Sequence, residues 1–163
     1  MRFFKEILIV VLIFCASFAR ADDDCTFSKP GILENIERIA ERFPGAFVDT
    51  EKNRATWVRE NGDSEYYTEG GCYDLGGAAG RVTRMSERRG SEAVRQVVLE
   101  LAERFLPDTE AARISSAFEN GSYESHANDS EDFIFIEHPF GEIVVTHRFE
   151  QGSDTVEVAW PIA

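Results

Sequence analysis

Ile32, Leu33, Ile36, Ile39, Ala40 and Phe43 recur at helical spacing, with Glu34, Glu37, Arg38, Glu41 and Arg42 on the opposite face. Pro30 suits a first turn and Pro44-Gly45 a stop, so the pattern predicts a helix over 30–43. The period then shortens. Residues 46–50 and 54–60 read as strands around Glu51-Lys52-Asn53. Asn61-Gly62 is a hairpin signal, and 64–69 completes a three-stranded meander. The glycine- and alanine-rich stretch from Leu75 to Gly80 reads as a flexible connector. Val94, Val97, Val98, Leu101 and Phe105 form a second helical stripe, capped by Ser91 and stopped at Pro107. A shorter helix is expected over 108–118, with Ala111, Ala112 and Ile114 inward. Residues 122–131 are polar and read as an exposed loop or a ragged edge strand. Strands follow over 132–138, 142–149 and 155–160, with turns at Pro139-Phe140-Gly141 and Gln151-Gly152-Ser153.

These elements predict an α+β fold: an antiparallel sheet of about six strands, with two or three helices on one face. Its core is expected to contain Ile36, Ile39, Phe43, Val94, Val98, Leu101, Phe135, Val145 and Val156. The segments Ala40-Glu41-Arg42-Phe43 and Ala102-Glu103-Arg104-Phe105 each end a helix that precedes strands. They are open to two readings: a duplicated helix-plus-meander unit, or a common way to finish an amphipathic helix. In architecture alone, the layout is similar to cystatin-like and NTF2-like cones.

The first 21 residues read differently. Arg2 and Lys5 precede an apolar run over 7–15, and Ala19-Arg20-Ala21 offers small residues at a cleavage site. The apolar run is shorter than the roughly 20 residues of a membrane span. The expectation is a signal peptide over 1–21 and one exported domain over 22–163, in a bacterial periplasm or outside a cell. Cys25 and Cys72 then remain as a pair, which in an exported chain reads as a disulfide.

Charge narrows the partners. The whole chain carries 17 basic and 30 acidic residues, net −13. Nucleic-acid backbones and anionic membrane surfaces are repelled by such a chain. Residues 107–163 hold twelve acidic residues against Arg113 and Arg148 alone. That imbalance points to a basic protein partner, steered to Glu124, Asp129, Glu131 and Asp132, though a solvated loop has the same composition. Asn120-Gly121-Ser122 and Asn128-Asp129-Ser130 match glycosylation sequons, which count only in a eukaryotic source.

Catalytic signals are sparse. HExxH, a Walker A loop and GxSxG are all missing from the sequence. No metal or cofactor is called for. A three-residue turn after His138 sets cross-strand positions summing to 280, which places His147 opposite Phe133 and away from His138. A zinc pair is therefore not expected. The reading is a non-catalytic inhibitor or immunity-type module that neutralises a basic toxin or hydrolase. The alternative is a small-ligand or hydrolytic pocket protein with Trp57, Tyr67 and His147 on the pocket wall.

Overall fold

The computed structural model describes residues 29–70, 76–128 and 131–161. Cys25, Cys72, the leader over 1–21 and Asp129 lie outside the described residues. The chain runs α1 (Lys29–Glu41), β1 (Phe47–Asp49), β2 (Arg54–Val58), β3 (Ser64–Glu69), β4 (Gly76–Arg84), α2 (Ser91–Phe105), α3 (Asp108–Asn120), β5 (Glu124–Ala127), β6 (Glu131–His138), β7 (Gly141–Glu150) and β8 (Ser153–Pro161). The eight strands form one antiparallel sheet in the order β1-β2-β3-β4-β8-β7-β6-β5. The class is α+β, as the pattern predicts. Two four-stranded meanders, each preceded by helix, meet through their last strands, β4 and β8. The two Ala-Glu-Arg-Phe segments also meet: the rings of Phe43 and Phe105 lie 5.3 Å apart.

The helices bury their apolar stripes on one face of the sheet. Ile32, Ile36 and Ile39 of α1, Val94, Val98 and Leu101 of α2, and Ile114 of α3 share a cluster with Ala79, Val145, Val156 and Val158. Period-two alternation builds that face in rows. One row runs Ala55, Tyr67, Ala79, Val158, Val145 and Ile134. The next runs Trp57, Glu65, Arg81, Val156, His147 and Asp132. Phe135 alternates onto the opposite face and is half-buried, so it leaves the predicted core. Phe43 packs at the cluster's margin. The α2 cap is Gly90, and Ser91 is already helical.

The expected connector is a strand. Gly76–Arg84 pairs with β3 on one side and β8 on the other, at the middle of the sheet. Glycine is a poor strand former, but here its missing side chain is what neighbouring rings require. Tyr66 lies across Gly80 and Trp160 across Gly77, and a Cβ at either position would overlap the ring. Gly80→Val should therefore lower stability by about 1–3 kcal/mol through overpacking. A urea midpoint equal to that of the wild type contradicts this placement.

The turn after β6 also differs. His138 pairs with Gly141, leaving only Pro139 and Phe140 in the loop. Gly141 opens β7 at φ 139°, a conformation that side-chain-bearing residues rarely adopt. The Phe140 N–H donates to His138 Nδ1 at 3.2 Å, and His138 Nε2 lies 3.3 Å from Glu110 on α3. The shorter turn shifts the register by one residue. His147 stands opposite Asp132, not Phe133, and a one-residue shift exchanges the sheet's faces.

Candidate functional site

That shift assembles a charged cluster the sequence reading missed. His147 is buried on the helix-covered face, with Nδ1 3.2 Å from Asp132 Oδ2 and Nε2 2.9 Å from Asp154 Oδ2. A doubly protonated ring donates to both carboxylates, whereas either neutral tautomer donates to one. The loop before α2 closes on the same two acids. Arg88 reaches Asp132 Oδ2 at 2.9 Å, and the Arg89 N–H donates to Asp154 Oδ2 at 3.0 Å. Arg89 Nε also lies 3.5 Å from Asp154 Oδ1. With a carboxylate at each nitrogen, His147 has no ring position left to take a proton from a nucleophile. The cluster ties β6, β7 and β8 to the 85–90 loop. Among the described residues, no group of three or more His, Cys, Asp or Glu is placed to hold a metal ion.

A cleft of about 360 Å³ opens beside this cluster, between the first turn of α2 and strands β5 and β6. Val94, Ile134 and Val145 give it apolar lining, and Ser91, Tyr123, Ser125 and Asp132 are polar groups around it.

Trp57 and Tyr67 do not reach this cleft. Trp57 shares a row with His147, but four strand steps separate them, about 19 Å at normal strand spacing. Both aromatics fill the core instead. Phe43 stacks on Trp57 with centroids 4.8 Å apart, and Phe105 lies 5.1 Å from Trp57 and 6.2 Å from Tyr67. The Trp57 indole N–H donates to Glu65 Oε2 at 3.0 Å, and the Tyr67 hydroxyl donates to Glu69 at 2.6 Å. Trp57 borders a separate cavity beside Arg59 and Arg104, and His147 borders the cleft at β5.

Glu65 is a second buried hub. It is fully buried and accepts from Arg81 Nε and Nη2 at 2.9 and 2.7 Å, Arg59 at 3.1 Å, and the Trp57 indole. Arg104 Nη2 lies 3.2 Å from Oε2, the oxygen that also accepts from the indole. Glu100 on α2 accepts from Arg81 and Arg59, at 2.7 and 3.3 Å. Burial pushes the Glu100 carboxyl up, but hydrogen bonds and charge from Arg81 and then Arg59 outweigh it and hold it below the usual range. The signal was present in the sequence: period two puts Glu65 on the same face as Tyr67.

The acidic residues divide between the two faces of the sheet. Glu131, Phe133, Phe135 and Glu137 alternate onto the outer face, and Asp132 turns inward to His147. Glu131 is ion-paired with Arg148. Glu124 lies on the fully exposed edge strand β5, its side chain 84% exposed, with His126 4.0 Å away. Glu137 stands directly opposite Glu142, a like-charge pair that disfavours the isolated sheet. Between these acids lie half-buried Phe133, Phe135 and Val144, with the His126 ring edge-on to Phe135 at 5.7 Å. Among the described residues, no helix covers this face. Further along it, Tyr66 donates to Glu157, and the Arg54 guanidinium lies 3.7 Å above the Tyr66 ring. Burial and then the Glu157 charge push the Tyr66 phenol up, which keeps the donating proton in place.

No family model matches the chain, and neither curated proteins nor solved structures give a match.

Proposed function

We propose that the chain is an exported, non-catalytic binding module of the inhibitor or immunity type. It occupies a basic toxin or hydrolase through the flank formed by β5, β6 and β7. The supporting observation is the outer face of that flank. There Phe133, Phe135 and Val144 lie among Glu124, Glu131, Glu137 and Glu142, with Arg148 the basic residue on these three strands. Apolar groups framed by one sign of charge suit a partner of the opposite sign. A second copy of so acidic a chain is repelled, and so is nucleic acid. A periplasmic or extracellular location and a Cys25–Cys72 disulfide belong to this reading. No cofactor is required for it.

The test is capture from the exported fraction of the source, then kinetics with the purified partner. Charge steering acts mainly on encounter. Glu124→Gln, Asp129→Asn and Glu131→Gln together should slow association several-fold at low salt without changing the urea midpoint. The wild-type rate should fall as salt rises past 0.1 M, where the Debye length is about 10 Å. An association rate that ignores both salt and the triple change overturns the acidic-docking reading.

A further inference from the structure

We propose that the cleft behind β5 is the anchor pocket for one arginine side chain of the basic partner, an inference that rests on the binding-module reading. The cleft has the two-part chemistry an arginine needs. Val94, Ile134 and Val145 offer apolar surface to the methylene stem. Asp132 supplies the anion and is 40% exposed. His147 and Arg88 both approach its Oδ2, and among the described residues no hydrogen bond reaches Oδ1. The hydroxyls of Ser91, Tyr123 and Ser125 are acceptors for the remaining guanidinium N–H groups. A planar donor fork suits a carboxylate edge better than an ammonium does.

Charge favours a cation over an anion. Among the described residues, Asp132 is the acidic residue in the lining, no arginine or lysine lines the cleft, and His126 and His147 also border it. The positive end of α2, Arg88 and Arg89 act against a second cation. Asp132, Asp154, Glu92 in the first turn of α2 and Glu124 on β5 act for it. The sheet already contains a carboxylate shared among arginines: Glu65 has three. A partner arginine at Oδ1 would repeat that arrangement at the sheet's other end.

The test uses two probes on the intact chain: N-acetyl-arginine N-methylamide, and its norleucine counterpart, which keeps the apolar stem without the charge. Methyl NMR should show the arginine probe shifting Val94, Ile134 and Val145 saturably, with norleucine producing no saturable shift. Asp132→Asn should weaken arginine binding about tenfold or more, the loss of one charged hydrogen bond. Because Asp132→Asn also disturbs His147, Ser125→Trp is the second variant. It fills the cleft from the exposed edge strand and should abolish the shifts with the urea midpoint retained. Absent shifts, equal shifts from norleucine, or shifts that persist in both variants overturn the inference. If the captured partner binds Ser125→Trp as tightly as wild type but loses affinity for the acidic triple variant, the anchor is wrong and the docking flank stands. If the arginine probe binds but no basic protein is captured, the cleft stands and the binding-module reading fails.

Discussion

Glu65→Ala should lower the free energy of unfolding by about 3–5 kcal/mol, because it leaves charges and donors buried without their partner. Glu65 is fully buried and faces Arg81, Arg59, Arg104 and the Trp57 indole. Arg59 and Arg104 are about a third exposed and recover some water. Arg81 is only 5% exposed and keeps Glu100 alone. The indole loses its acceptor outright. A large part of the loss is therefore the cost of stranding Arg81, and replacing both members of the pair should remove it. Glu65→Met with Arg81→Leu should recover most of the stability lost by Glu65→Ala, since buried ion pairs tolerate apolar replacement of both partners. Urea titration of the two variants checks this. A loss under about 1 kcal/mol for Glu65→Ala, the range of an exposed pair, contradicts the hub.

The second large effect lies on α2. Leu101 is fully buried in the cluster that joins the helices to β4, β7 and β8. Leu101→Ala removes buried apolar volume and leaves a cavity, for an expected cost of about 2–5 kcal/mol. The value should fall toward the upper end, because Ala79, Val156 and Val158 lie on central strands held on both sides and have little freedom to collapse. A loss below about 0.5 kcal/mol is typical of surface substitutions and would put the wrong helix face inward.

Much of this architecture is legible in the residues. Helical spacing in α1 and α2 identifies the buried stripes, because a 3.6-residue period is hard to satisfy by accident over several turns. Alternation in β7 and β8 identifies Val145 and Val156 in the same way. Strand β4 is not legible. Gly77 and Gly80 are there to admit Trp160 and Tyr66, which come from elsewhere in the chain, and local propensity carries no trace of that. The His147 cluster was hidden by one residue of turn length. Pro139-Phe140-Gly141 reads equally well as a three-residue loop, yet Gly141 belongs to β7, and that choice decides whether His147 meets Phe133 or Asp132. Sequence proximity groups the partner-facing acids, and it cannot separate Glu131 on the outer face from Asp132 on the inner one until the strand is placed. The sequence alone does not separate Trp57 and Tyr67 from His147 as pocket-wall residues. Here they pack against Phe43 and Phe105 instead.

The docking flank is tested most directly by side-chain footprinting of the complex with the captured basic protein. Hydroxyl-radical oxidation reads solvent access ring by ring. Phe133 and Phe135 on β6 should lose most of their labelling on complex formation. Phe47, 69% exposed on β1 at the opposite edge of the sheet, should be labelled as in the free chain. Unchanged labelling of Phe133 and Phe135, with protection of Phe47 in their place, would contradict docking through β5, β6 and β7.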